Sequence, residues 1–202
     1  MGLRERKKAE TRSALSWAAI RLTAERGFDN VRVEDIADAA GVSPRTFNNY
    51  FSSKAEAIVS RHLDRFHRAA DELRARPDGE PLWESITEVA LSQVEPGAEV
   101  LAHPIADRGA WVVGVRAMVA EPALQGEWLR AAARAEAEFA AAVAQRTGTD
   151  LEKDIYPHLV AAAVTAATNV AQAQFLRGDG TASMRDLLSE ALVRITSGLP
   201  TP

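Results

Sequence analysis

A short run of turn-forming residues decides more about this chain than any other part of it. In "ADAAGVSPRTFNNYF", residues 37–51, a glycine, a serine and a proline fall within four positions, at Gly41, Ser43 and Pro44. Gly41 suits the left-handed residue that ends a helix. Ser43 offers a hydroxyl as N-cap, and Pro44 suits the first helical position because it has no N–H to lose. The segments on either side are therefore two short helices separated by three residues. The first starts near Val33, has Glu34 and Asp35 in its first turn, where carboxylates favour the positive end of the helix dipole, and carries an apolar side of Val33, Ile36, Ala37 and Ala40. The second runs from Pro44 to about Tyr50, with Phe47 and Phe51 four apart on one face.

Two such helices at a tight turn make a helix-turn-helix. A helix this short contributes little as a core element. If Phe47 and Phe51 anchor it, the opposite face presents Arg45, Thr46, Asn48 and Asn49. Arginine can give two donors to a guanine edge, and asparagine can exchange a donor and an acceptor with an adenine edge. That face suits a DNA major groove. An ordinary helical hairpin with a polar surface fits the same pattern.

The charge distribution points the same way. The net charge of −4 conceals a basic front: residues 1–76 hold 15 Lys and Arg against 11 Asp and Glu, and the remainder holds 9 against 17. A basic end on an acidic body is expected where one end meets a polyanion. With 47 % hydrophobic residues there is enough apolar material for a core. Alanine is abundant and β-branched alternation scarce, so an all-α fold is expected. No apolar run approaches the roughly 18 residues of a membrane span, the charged "MGLRERKKAE" does not read as a signal peptide, and there is no cysteine. A cytoplasmic protein without a membrane partner is the simplest fit.

Helical periodicity places a first helix at about 6–26, with Leu15, Ala18, Ala19 and Leu22 on one stripe and Gly27 as its stop. A fourth helix is expected at about 54–76. "RPDGEP", residues 76–81, is the clearest turn, and body helices follow near 81–95, 98–107, 109–119, 122–147, 151–177 and 181–197. Breaks are expected at Pro96-Gly97, Glu121-Pro122 and Arg177-Gly178-Asp179-Gly180, and His103-Pro104 should kink or end its helix. Arg61, Arg65 and Arg68 read as a solvated face of the fourth helix rather than a second DNA site.

"VRVEDIADAAGVSPRTFNNYFSSKAEAI", residues 31–58, with "AIRLTAERGFDNV" before it, resembles the DNA-binding domain of TetR-family transcriptional regulators. The likeness covers roughly residues 10–60. It implies an all-α homodimer with a helix-turn-helix head, residues 1–54, and a helical ligand-binding and dimerisation body, residues 55–202. Most such proteins are repressors released from a palindromic operator in double-stranded DNA by a small molecule. Carried over by position, the resemblance puts Pro44, Arg45, Thr46, Asn48 and Asn49 in the groove and Tyr50 and Lys54 on phosphates, with Arg32, Val33 and Ser43 completing the contact set at the two helix starts. Two positions depart from the family pattern: Arg32 stands where a threonine is usual, and Thr23 where an aromatic is often found.

The body is less sharply written. Trp83, Trp111, Met118, Trp128, Phe139, Asn169 and Phe175 are candidate effector contacts, although each apolar one also fits plain core packing. Thr165, Thr168, Asn169 and Gln172 share one helical stripe that faces either a pocket or a subunit interface. "HLVAAAVTAATNVAQAQFL", residues 158–176, is rich in small residues and, with "SMRDLLSEALVRI", residues 183–195, could build a four-helix bundle with a second copy. The C-terminal part also loosely resembles a branch of the family described as binding acyl-CoA-like ligands, so an effector of that kind, or another apolar compound, is expected. The four histidines share no metal-ligand spacing, and there is neither a phosphate-cradling glycine loop nor a nucleophile motif. No enzyme activity, metal or cofactor is expected. A dimeric scaffold without operator binding is the alternative.

Overall fold

The computed structural model describes residues 2–178 and 182–201. Among these, all regular structure is helical: α1 (Leu3–Arg26), a single 3-10 turn (Phe28–Asn30), α2 (Val33–Ala39), α3 (Pro44–Asn48), α4 (Lys54–Ala75), α5 (Leu82–Ser92), α6 (Ala98–Ala102), α7 (Arg108–Val119), α8 (Pro122–Thr147), α9 (Tyr156–Arg177) and α10 (Met184–Thr196). The expected all-α fold is what the chain adopts. It packs as two compact units, residues 1–62 with 96–131 and residues 63–95 with 132–202. The borders fall inside α4 and α8 and in the α5–α6 loop, and the first unit takes in α6 and α7 as well as the expected head.

In the first unit, Leu15, Ala18, Ala19 and Leu22 of α1 meet Ile36 and Ala37 of α2, Phe47 and Phe51 around α3, and Ala57 and Ile58 of α4 in one buried cluster that also holds Met118 and Leu124. Helix α7 crosses the end of α1 at very close range. A Cβ on Gly114 would lie 2.0 Å from the carbonyl oxygen of Ala24, so only a bare Cα fits there. Trp17 and Trp111 pack beside that crossing with ring centroids 5.3 Å apart. Arg61 does not lie on a solvated face: its guanidinium bonds Glu99 at 2.6 Å and lies 5.5 Å from the centre of the Trp17 ring, with both ionic side chains mostly buried. Arg68, in the second unit, is exposed as expected, and its Nε donates to Gln93 at 3.1 Å.

In the second unit, Phe66, Ala70 and Leu73 of α4, Ile86 and Val89 of α5, Phe139, Ala142 and Val143 of α8, Val160, Ala161 and Val164 of α9, and Leu188 and Leu192 of α10 form a single core. Arg146, in the last turn of α8, closes the α4–α5 loop. Its guanidinium donates to the carbonyls of Arg76 (2.9 Å), Pro77 (2.6 Å) and Glu80 (3.1 Å) and to the Ser85 hydroxyl (3.0 Å). Glu80 pairs with Arg76 and accepts from the Ser85 hydroxyl.

Helices α6 and α9 fall furthest short of their sequence patterns. Helix α6 stops at Ala102 because His103 precedes a proline and leaves the helical region, with φ −131° and ψ 74°. Helix α9 begins at Tyr156, not near residue 151, because the Asp150 and Asp154 carboxylates bond local amides across 150–154, and Pro157 fits only the first turn. The expected break at 177–180 lies partly outside the described residues. Helix α9 is also long and apolar enough, by length and composition, to cross a membrane, although only about a third of that window is buried in its unit. The sequence reading expected no such run. Polar residues at 165, 168, 169 and 172 interrupt it without lowering its average far enough.

Candidate nucleic-acid interface

The α2–α3 turn is built as its residue types require. Gly41 is left-handed, with φ +68°. Its amide bonds the Asp38 carbonyl, and the Val42 amide bonds the Ala37 carbonyl, each at 2.9 Å. This pair of bonds is a Schellman stop, which satisfies the last carbonyls of α2. Ser43 then caps α3: its Oγ accepts from the Thr46 amide at 3.1 Å and lies 2.9 Å from the Thr46 hydroxyl, with Pro44 in the first turn. At the other end of α2, Arg32 occupies the N-cap without an acceptor of its own. Asp35 supplies the bond instead, taking the Arg32 amide at 2.8 Å.

Phe47 and Phe51 are fully buried, with ring centroids 5.7 Å apart. They fix which way the five-residue helix faces. Arg45, Asn48 and Asn49 are exposed on its free side, together with Ser43 and Pro44, while Thr46 and Tyr50 are half-buried. Arg32 is exposed and Val33 half-buried at the start of α2. The residues expected in the groove thus lie together on α3 and its C-cap Asn49, all exposed but the half-buried Thr46.

Lys54 is placed differently from a simple phosphate contact. Its ammonium donates to the carbonyls of Phe28 (2.6 Å) and Val31 (3.0 Å) and sits 3.9 Å from the centre of the Phe28 ring. An ammonium has three donors, so one remains for an outside acceptor. Nothing local to Lys54 foretells this, because its partners are backbone carbonyls in and just past the 3-10 turn, more than twenty residues upstream. Arg12 of α1 was also missed. It lies over the Phe51 ring at 4.6 Å and reaches the Tyr50 carbonyl at 3.5 Å.

The candidate effector residues are divided between the units. Trp111, Met118 and Trp128 belong to the first, where His62 meets Trp128 edge-on at 5.4 Å. The indole N–H groups of Trp17 and Trp128 are buried there without an acceptor. Trp83, Phe139, Asn169 and Phe175 belong to the second. Phe139 is a core residue packed edge-on against Phe66, Trp83 packs on that core, Phe175 is half-buried, and Asn169 is exposed on α9.

A turn-and-recognition-helix head of this construction, followed by an all-helical remainder, defines a helix-turn-helix regulator. Residues 17–58 match the family described as bacterial regulatory proteins, tetR family, and residues 80–200 match the MftR C-terminal domain. The chain belongs to the TetR family of transcriptional regulators, which bind DNA. It is 32 % identical over 184 residues to the HTH-type transcriptional regulator TcmR of Streptomyces glaucescens, covering 88 % of this chain and 79 % of TcmR. It is 39 % identical over 75 residues to the mycofactocin biosynthesis transcriptional regulator MftR of Mycobacterium tuberculosis, 35 % of this chain and 37 % of that one. Among solved structures, a TetR-family regulator from Rhodococcus superposes with a TM-score of 0.58 at 24 % identity, covering 95 % of this chain and all of the other. The fatty acid degradation regulator FadR of Bacillus halodurans gives 0.60 at 15 % identity, covering 95 % and 97 %. These two show the shared fold.

Proposed function

We propose that this regulator is a ligand-responsive repressor that binds a palindromic operator as a homodimer, with residues 1–54 reading DNA and residues 55–202 serving ligand binding and dimerisation. The observation that carries the DNA reading is the two-sidedness of the α3 segment: Phe47 on α3 and Phe51 just past it are buried while Arg45 and Asn48 of α3 are exposed. Arg45 and Asn48 read base edges, with Thr46 and Asn49 beside them. Ser43, Pro44, Tyr50, Arg32 and Val33 set the helix against the backbone, and Lys54 adds its remaining N–H to a phosphate.

The dimer reading is supported by α9 and α10. Leu159, Ala162, Ala166 and Val170 form an exposed apolar face on α9, and Val193 is exposed on α10. Asn169 lies on the same exposed side, which favours the subunit interface for that part of the polar stripe.

Effector contacts are assigned to Trp111, Met118 and Trp128. Buried indole N–H groups without acceptors are costly, and an effector carrying a carbonyl or similar acceptor would satisfy the one on Trp128. An apolar molecule with a polar head, such as an acyl thioester, has that chemistry. It acts as an inducer only if it binds the DNA-free state more tightly, and a tenfold loss of operator affinity requires about 1.4 kcal/mol of difference. The test is selection of bound duplexes from random DNA, followed by titration with acyl thioesters of graded length, with and without the selected duplex. Absence of any selected sequence refutes the operator reading, and equal ligand affinity in both titrations refutes the inducer reading.

A further inference from the structure

Helix α1 begins twelve residues before its first buried side chain, Leu15, and residues 3–10 are exposed on every side. No tertiary packing supports this first third of the helix. It is held locally by Glu5, which accepts the Gly2 amide, by the Arg6–Glu10 pair, and by the Thr11 hydroxyl donating to the Lys7 carbonyl. Those interactions occupy both acids of the segment. On the other side Arg4, Lys7, Lys8 and Arg12 fall within an arc of about 140° around the helix axis. The side chains of Arg4, Lys7 and Lys8 have no hydrogen-bond or ion-pair partner among the described residues. Arg4, Lys8 and Arg12 succeed one another at i, i+4 and i+8, a spacing at which like charges repel.

Arg12 shows where this face looks. Its guanidinium lies on the Phe51 ring and reaches the Tyr50 carbonyl, immediately past α3. Lys8 and Arg4 therefore continue the α3 surface outward along α1, over about 12 Å of helix axis. Phosphates on one DNA strand are spaced by about 3.4 Å along the duplex axis, so that length spans three to four of them.

We propose that the exposed N-terminal third of α1 is a second DNA-contacting element, in which Arg4, Lys7 and Lys8 engage backbone phosphates flanking the half-site under α3. The inference rests on the operator reading above. The like charges of Arg4, Lys7 and Lys8 repel one another in the free protein and are favourable against a polyanion, and Arg12 joins their face to the segment immediately past α3. It adds affinity and salt dependence without sequence preference, because ammonium and guanidinium groups on phosphates carry no base information.

The test is the double variant Arg4→Gln, Lys8→Gln in the full chain, titrated against a duplex selected from random DNA. The duplex is made in two forms, one trimmed flush with the half-sites and one carrying a helical turn of flanking DNA on each side. On the long duplex the salt slope of the variant should fall by about 1.8 per half-site, with base preference unchanged and the melting temperature not lowered. On the trimmed duplex variant and wild type should bind alike. An unchanged slope on the long duplex overturns the inference alone, provided that Arg45→Ala still weakens binding. Absence of wild-type binding to any duplex overturns the operator reading and this inference with it. A lost affinity for phosphatidylglycerol vesicles with an unchanged DNA slope would assign the row to a membrane surface and overturn it too.

Discussion

Replacing Lys54 with methionine separates two roles that the same residue could play. Methionine keeps an apolar stem over the Phe28 ring but removes the ammonium that bonds the Phe28 and Val31 carbonyls at 2.6 and 3.0 Å. Hydrogen bonds to charged groups contribute about 1.5–3 kcal/mol each, and the two here share one donor group on a part-buried side chain. The lost cation–π contact adds about 0.5–1 kcal/mol. A total of about 2–4 kcal/mol is expected, a large part of the roughly 5–15 kcal/mol that holds a domain together. With a urea slope of about 2 kcal/mol/M, the denaturation midpoint of Lys54→Met should fall by about 1–2 M at unchanged slope. If Lys54 served only as a phosphate contact, stability would stay within about 0.5 kcal/mol and the salt slope of operator binding would drop by about 0.9 per half-site. That second pattern would refute the structural part assigned to Lys54.

Arg45→Ala and Asn48→Ala should each cost roughly 1–3 kcal/mol per half-site and relax preference at one base pair, as read by titrating the operator and its single-base variants. Gly114→Ala should destabilise by about 1–3 kcal/mol despite alanine's better helix propensity, because its methyl would meet the Ala24 carbonyl; thermal denaturation decides the sign. Ala162→Arg or Ala166→Arg should weaken self-association by several kcal/mol by placing a charge in the α9 seam, and light scattering that still shows dimers at low micromolar concentration would put the seam elsewhere. The Arg76 guanidinium, followed by the Ser85 hydroxyl, holds the Glu80 carboxyl at about 2, from an ordinary 4.5. Its contribution is thus complete above about pH 4.5 and lost as pH falls toward 2, so that the melting-temperature gap between wild type and Glu80→Gln should close across that window.

The head was legible in the sequence because its determinants are local. A left-handed glycine, a hydroxyl cap, a proline and two phenylalanines four apart lie within eleven residues, and each dictates backbone or facing on its own. Helix α8 was readable for the same reason, being bounded by Pro122 and Gly148 and alanine-rich between them. The strut at Lys54 and the inward turn of Arg61 were not legible, because their partners are a backbone carbonyl and a carboxylate from distant segments. Nor could periodicity assign the candidate effector residues to a site. It shows which helix face an aromatic occupies but not which unit that face belongs to, and the seven fall in two.

The closing of the α4–α5 loop by Arg146 bears on the order in which the chain can become native. The carbonyls of Arg76, Pro77 and Glu80 and the Ser85 hydroxyl precede their donor by 61 to 70 residues. At roughly 5–20 residues per second, synthesis delivers Arg146 about 3–14 s after the loop it secures. During that interval the loop's carbonyls are left to water, and the end of α4 and the start of α5 lack the clamp that sets their turn. The first unit's core, by contrast, needs Met118 and Leu124 as well as the head, and both are made before Arg146, so that core can close ahead of the clamp on the α4–α5 loop.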